Sequence, residues 1–408
     1  MTGKLALGDL PDGELAAKRA LVRVDYNVPF EHGEIGDDAR IRATLPTLGR
    51  VLDAGGSVVL LSHLGRPGGK EVPELSLRPV AARLSQLLGR EVNFLAATVG
   101  PEAEEAAGAL APGQALLLEN SRFLPGEEKN DPKTARKMAK LGDIFVNDAF
   151  GAAHRAHAST AGVAGVMREE GKKAAAGLLM ERELRYLGSA LADPERPFIA
   201  VLGGAKISGK IEVVRALLPR VDLVVIGGAM ANTFFRALGL QTGRSLVEEE
   251  LVPFARELLD QGGDKLLLPA DVRVAAGVEA GAKTKVVARE EIPRDWSAVD
   301  IGTDTERRYR ELLESARTIF WNGPMGVFET PEFAVGTEAV ARAIVRATER
   351  GATTVAGGGD SAAALAEFGW ENRVSHLSTG GGAALQFLEG KVLPGVAALS
   401  DLPESTGG

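Results

Sequence analysis

The sequence predicts an α/β protein, with repeated βαβ units building parallel sheets in two domains. Three observations predict it. Short apolar runs alternate with segments of helical period along the chain, the pattern of strands joined by crossover helices. The length of 408 residues exceeds the roughly 250 to 300 at which a single hydrophobic core stops growing. The apolar runs also end in two unlike ways, which separate near residue 190.

In the first half the runs are ALVRVDYNVP (Ala20 to Pro29), SVVLLSHLGRP (Ser57 to Pro67), ALLLENSRF (Ala115 to Phe123) and IFVNDAFGAAHRAH (Ile144 to His157). Each ends in Arg, His, Asp or Asn. In the second half they are FIAVLGGAK (Phe198 to Lys206), LVVIGGAMAN (Leu223 to Asn232), IFWNGPMGVFE (Ile319 to Glu329), TTVAGGGDS (Thr353 to Ser361) and STGGGA (Ser378 to Ala383), ending mostly in glycine. Ligands collect beyond the carboxyl ends of strands in open α/β sheets. The first set therefore suits a small anionic acid and the second a nucleotide.

Between the runs, helices are predicted at Leu75 to Gly89, Asp131 to Gly142, Ser208 to Arg220, Leu251 to Gly262, Asp304 to Ala316 and Phe333 to Gly351. The stretch from Ala174 carries Leu178, Leu179, Leu184 and Leu187 among charges and stops at the breaker Asp193 to Pro197. It reads as a hinge helix joining the halves or as an ordinary crossover helix. The division is thus a first domain at 1–173, a linker helix at 174–192, a second domain at 193–392 and a tail at 393–408. That tail has turn residues and little apolar surface.

Composition narrows the partners. Hydrophobic residues make up 45% and charged residues 25%, as in ordinary globular proteins. The 50 glycines exceed the usual share of about 7%, and the excess clusters after apolar runs, where it is positional. A net charge of −8 argues against nonspecific nucleic-acid binding, which relies on a basic surface. Within this acidic chain the first half gathers Arg23, Arg40, Arg42, Arg66, Arg122 and Arg155, which reads as a focused positive pocket or as scattered solvated arginines. There is no cysteine, so disulfides and thiolate chemistry are excluded. Asp9, Asp12 and Glu14 interrupt any signal-peptide core, and no run of about 18 apolar residues occurs, so a cytoplasmic protein without a membrane span is expected.

The glycine clusters suggest phosphate contacts. GAKISGK (Gly204 to Lys210) fits the GxxxxGK skeleton, but Ile211 stands where a magnesium-binding hydroxyl is required. The plainer reading is that Gly203 and Gly204 let a turn approach phosphate while Lys206 and Lys210 supply charge from a helix start. Both GGGDS (Gly357 to Ser361) and STGGGA precede helical runs, where backbone N–H groups form anion sites. Asp360 adds a hard oxygen ligand for Mg²⁺ carried on nucleotide phosphates, or serves as a helix N-cap. The sequence lacks a GxGxxG fingerprint, a GxSxG elbow, and HRD and DFG motifs, which disfavours a dehydrogenase, a serine hydrolase and a protein kinase. His154 and His157 have no partners at zinc-site spacing.

In order, RVDYNVP, SHLGRP, LENSRF, VNDAFGAAHRAH, LGGAKISGK, GGAMANTF, WNGPMGVFE, GGGDS and STGGGA resemble the phosphoglycerate kinase family over nearly the whole chain. The resemblance implies two Rossmann-like, doubly wound domains joined by a hinge helix. The implied reaction is a glycolytic, Mg²⁺-dependent phosphoryl transfer between 1,3-bisphosphoglycerate and ADP, catalysed by a monomer. It implies that Asp25, Asn27, Arg40, His63, Arg66, Arg122 and Arg155 hold 3-phosphoglycerate. It further implies nucleotide contacts from Gly203, Gly204, Lys206, Gly227, Gly228, Asn322, Pro324, Gly357, Gly358, Gly359 and Ser361, with Glu329 on ribose and Asp360 on Mg²⁺. Arg40, Lys206, Lys210, Gly358 and Gly381 would assist transfer, and the LPGV segment would return to the first domain. The chain departs from common family residues at Ser121, Leu124, Ala229 and Thr303, none of which is a charged contact.

Overall fold

The computed structural model describes residues 3–402, in two compact units. The first runs to Arg185 and includes the segment from Val392; the second is Tyr186–Lys391.

The first unit contains β1 (Arg19–Arg23), a short hairpin of β2 (Phe30–Glu31) and β3 (Glu34–Ile35), β4 (Ser57–Leu61), β5 (Val92–Leu95), β6 (Ala115–Leu118), β7 (Ile144–Asn147) and β8 (Ala174–Ala176). Its main sheet has the order β5-β6-β4-β1-β7-β8, and all neighbours are parallel. Strands β4, β6 and β7 are buried throughout, the reason they read as continuous apolar runs rather than alternating ones. The amphipathic helix Ala39–Asp53 lays Ile41, Leu48, Val51 and Leu52 against Val22, Leu60 and Val146. Each such side chain contributes roughly 1.5 to 3 kcal/mol on burial. Because β4, β5 and β6 lie on one side of β1 and β7 and β8 on the other, the chain reverses direction across the sheet at β1. A crevice opens beyond the carboxyl end of that strand.

Two expectations change here. Ala174–Ala176, expected within the joining helix, forms edge strand β8, and the helix runs Leu178–Ala192. Three consecutive alanines suit either state, and pairing with β7 decides. The C-terminal segment is not poor in buried apolar surface. Leu393, Val396 and Leu399 are fully buried, the Asn147 amide donates to the Gly395 carbonyl at 3.1 Å, and Leu5 N–H donates to Ser400 at 2.8 Å. The segment is thus fastened to the first unit as far as Leu402; the expected tail beyond it lies outside the described residues.

In the second unit, β9 (Phe198–Leu202), β10 (Leu223–Ile226) and β11 (Leu266–Leu267) are followed by β12 (Asp271–Ala275), β13 (Thr284–Ala288) and β14 (Ser297–Ile301). Then come β15 (Thr318–Asn322), β16 (Thr353–Gly357) and β17 (His376–Ser378). The parallel sheet is ordered β11-β10-β9-β15-β16-β17, so its reversal falls between β9 and β15. Trp321, Tyr309, Leu313 and Ile344 pack around it. The Tyr309 hydroxyl donates to the carbonyls of Ile226 and Leu267 at 2.8 and 3.2 Å, tying helix Thr303–Ser315 to the ends of β10 and β11. A separate antiparallel sheet, β13-β12-β14, was not predicted. Its β13 is exposed to half-exposed along its length and so carries no continuous apolar signal. Among the described residues no helix is long and apolar enough to cross a membrane.

Candidate active site

At the reversal point of the first unit the charged strand ends converge. Arg40, entering from helix Ala39–Asp53, donates to Asp25 Oδ1 at 3.3 Å and to the Asn27 carbonyl at 3.1 Å. Asn27 Oδ1 accepts from Gly65 N–H at 2.9 Å, and the Gly65 carbonyl accepts from Arg122 at 2.8 Å. The loops after β1, β4 and β6 are therefore stitched together by the predicted residues themselves. Arg66 is exposed on the same turn as Gly65, and Arg155 is exposed after β7, near enough to Arg122 to disfavour its charge.

The electrostatics are uneven. Burial lowers the Arg122 guanidinium, while Glu128, ion-paired to it at 3.2 Å, opposes that shift. Burial pushes His63 down to about 3, against the attraction of Asp25 and with help from Arg23 and Arg122. His63 is accordingly neutral at pH 7. Burial would raise the Asp25 carboxyl, but His63, Arg40 and Arg23 outweigh it and hold it below the ordinary carboxylate range.

Arg42 does not join this cluster: its guanidinium is exposed and bidentate on Asp38, at 2.7 and 3.1 Å, one turn back on its own helix. Sequence reading singled out neither Glu127, Glu128 nor Ser159. Glu127 is fully buried, accepting from Ser159 N–H at 2.9 Å and from the Ser121 hydroxyl at 3.2 Å. The only local signal was the charged run GEEKN, which reads as a solvated loop until the fold buries its first glutamate.

In the second unit the reversal point is made of backbone. Gly203 N–H donates to the Asn322 carbonyl at 3.0 Å and Gly204 N–H to that of Pro324 at 2.8 Å, joining the ends of β9 and β15. Lys210 caps helix Ile211–Leu217, three residues later than the predicted start, so Lys206 lies on an exposed turn. The Lys210 ammonium donates to the carbonyls of Gly203 and, at 2.9 Å, Asn322. Two of its three N–H donors are spent there. Burial lowers this amine to about 8, against the pull of Asp360.

Asn322 and Ser361 are buried and committed to the scaffold: Asn322 donates to the Gly357 carbonyl at 2.7 Å, and Ser361 Oγ accepts from Gly323 N–H at 2.7 Å. Gly358, not Asp360, occupies the N-cap of helix Gly359–Glu367. Asp360 is exposed in the first turn, so the capping alternative falls away. Gly381 is likewise the N-cap of helix Gly382–Leu388. Glu329 is exposed after β15. Beside Gly228 lies a small recess lined by Ala231, Asn232, Phe235, Val299, Asp300 and Met325. A groove with Arg307, Arg342 and Arg346 is neutralised by Asp304, Glu338 and Glu314 and offers no comparable anion site.

Two doubly wound units, one with arginines and the other with glycine-lined turns and a lysine at the reversal point, define an α/β phosphotransferase. The chain belongs to the phosphoglycerate kinase family, whose profile matches residues 10–391. It is 57% identical to a phosphoglycerate kinase of Moorella thermoacetica, covering 98% of this chain and 99% of that protein. It is 55% identical to one of Chloroflexus aurantiacus, covering 96% and 98%. Among solved structures, phosphoglycerate kinase from Coxiella burnetii superposes with a TM-score of 0.86 at 42% identity, over 97% of this chain and 98% of that one. The Pyrococcus horikoshii enzyme gives 0.84 at 35% identity, with the same coverage.

Proposed function

We propose that the chain catalyses reversible phosphoryl transfer between 1,3-bisphosphoglycerate and ADP, yielding 3-phosphoglycerate and ATP. The observation that carries this reading is the family match over residues 10–391, and the two reversal points supply the chemistry. In the first unit Arg66, Arg122 and Arg155 would neutralise the acid's phosphate and carboxylate, with Asp25, Asn27 and neutral His63 fixing its orientation. Arg40, already directed at Asp25, would supply charge to the phosphoryl group in transfer. No general base is required, because the acceptor carboxylate is ionised near neutral pH. Catalysis then rests on positioning and positive charge.

In the second unit Gly203, Gly204, Gly227 and Gly228 would border the nucleotide, Glu329 would hold ribose, and the segment Gly357 to Ser361 with Asn322 and Pro324 would form the phosphate floor. Lys206 would take nucleotide phosphate from its exposed turn. Lys210, anchored between the ends of β9 and β15 with one N–H uncommitted, would face the transferring group, and Gly358 and Gly381 would present helix N-termini.

The residues fit a magnesium ion that arrives with the nucleotide. Among the described residues no group of three or more His, Asp or Glu could hold a metal alone, whereas Asp360 is an exposed carboxylate beside the phosphate floor. Nucleotide-borne Mg²⁺ commonly takes one or two carboxylates; it would neutralise charge on the phosphate oxygens. Since acid and nucleotide sets belong to different units, transfer is proposed to require hinge closure, with helix Leu178–Ala192 crossing the boundary. A cytoplasmic monomer is the proposed working form.

The test is a coupled assay of 3-phosphoglycerate and MgATP that follows acyl-phosphate formation, with Arg40→Ala in parallel. Turnover by the wild type and its collapse in the variant are expected. A well-folded wild type that binds ATP but never turns over would refute the proposal.

A further inference from the structure

Behind the substrate arginines runs a chain of buried polar groups that the proposed reaction does not use. Arg23 on β1 is fully buried. Its Nε donates to Ser159 Oγ at 2.7 Å, its Nη1 to the Val24 carbonyl, and its Nη2 lies 3.1 Å from His63 Nδ1. Ser159, also fully buried, passes its own hydroxyl hydrogen to Glu127 Oε1 and its N–H to Oε2. Every polar atom of the Arg23 head is thus directed, and Glu127 supplies the opposing charge.

This arrangement has one consequence for His63. A guanidinium can only donate, so the atom facing Arg23 must be an acceptor, and His63 Nδ1 bears no proton. The rival partner, Asp25 Oδ1, stands 3.9 Å from the same nitrogen, beyond hydrogen-bond range. We propose that Arg23 and Ser159, backed by Glu127, are positioning residues that lock His63 in its Nε2–H tautomer, so that the ring offers the acid substrate a directed donor rather than a charge. The proposal rests on the substrate-side reading given above. Burial, Arg23, Arg122 and His157 act together against protonation of His63, and Asp25, itself engaged by Arg40, favours it. A second proton would have to enter on Nδ1, against the Arg23 guanidinium. The lock thus keeps the substrate contact constant across the pH range in which a free imidazole changes charge.

The test uses the full chain labelled with ¹⁵N in its five histidines, the His63 signals being assigned by their absence in His63→Gln. Expected in the wild type are an acceptor-type Nδ1 and a protonated Nε2, both unchanged from about pH 8 to pH 5, where an unperturbed histidine titrates. Ser159→Ala and Glu127→Gln should each produce a tautomer mixture that titrates in this range. Each should raise KM for 3-phosphoglycerate about tenfold, the scale of one charge-assisted hydrogen bond, with KM for ATP unchanged. A wild-type His63 that titrates in this range, or carries its proton on Nδ1, overturns the proposal even if neither variant folds. Folded variants that lose stability but keep the wild-type tautomer and KM overturn it as well, by showing a merely structural network. Failure of the wild type to bind 3-phosphoglycerate, with the tautomer signals as expected, would instead refute the substrate assignment while leaving the lock supported.

Discussion

Replacing Gly228 with alanine should unfold the nucleotide-side unit far more readily than replacing Gly359. Gly228 has φ +67°, and a Cβ built there meets only backbone: Gly204 N at 2.4 Å, Gly204 O at 2.6 Å and Pro324 O at 2.8 Å. No flexible side chain can move aside. A left-handed conformation costs a residue with a Cβ about 1 to 2 kcal/mol, and forcing a methyl into packed surroundings adds about 1 to 3 kcal/mol. The sum of about 2 to 5 kcal/mol is a large fraction of a typical stability of about 5 to 15 kcal/mol. Gly359 begins its helix, and a Cβ there meets nothing within 4 Å. Alanine is also the better helix former, by up to about 1 kcal/mol. Gly359→Ala should therefore keep or raise stability. Its methyl would, however, hold phosphate away from the helix N–H groups, weakening MgADP by about ten- to a hundredfold if one charge-assisted hydrogen bond is lost. Trp296, Trp321 and Trp370 are the chain's three tryptophans and all lie in the second unit. Urea unfolding read by their fluorescence reports that unit alone, and calorimetry gives the MgADP affinity. Equal midpoints for the two variants, or a Gly228→Ala protein as stable as wild type, would refute the reasoning.

Three further outcomes are expected. Arg40→Ala should lower kcat by about 10³ or more with a small change in KM, as for a charge-stabilising arginine in phosphoryl transfer; steady-state kinetics showing a KM effect alone would make Arg40 a simple binding group. The Lys210 amine, depressed to about 8, binds fewer protons when folded than when unfolded between pH 8 and the ordinary lysine range. Stability of its unit should therefore rise with pH through that window, and the rise should flatten in Lys210→Met, as read from urea midpoints. Burial, reinforced by Glu306, raises Asp300 to about 8 despite N–H donors from Gly336 at 2.6 Å and Ile301 at 2.9 Å. The folded state then holds the extra proton between about pH 4 and pH 8, and stability should fall as pH rises through that window. Asp300→Asn should remove the slope in pH-dependent melting, whereas Asp300→Ala should cost about 1 to 3 kcal/mol by stranding two donors.

The parallel sheets were legible because β4, β6, β7, β9 and β15 are buried along their whole length, which writes them as unbroken apolar runs. Sheet β13-β12-β14 was not, because β13 faces solvent along much of its length and so lacks the unbroken apolar run by which the other strands are read. Among the site residues, those at strand ends were visible from residue type and position. Ser159 and Glu127 were not, since a serine and a loop glutamate acquire their roles only when burial removes water as their partner.

The sequence by itself determined the α/β class, the two unlike sets of strand ends and the family, because apolar periodicity and ordered short motifs are local properties of the chain. Only the tertiary structure decided that Arg42 pairs with Asp38 outside the arginine cluster, that Gly358 rather than Asp360 caps its helix, and that His63 faces Arg23. These depend on three-dimensional distances and backbone geometry that residue types alone do not fix, whether the partners are close in sequence, as Arg42 and Asp38, or distant, as Arg23 and His63. A few tenths of an ångström there separate a hydrogen bond from mere proximity, and burial sets what each contact is worth.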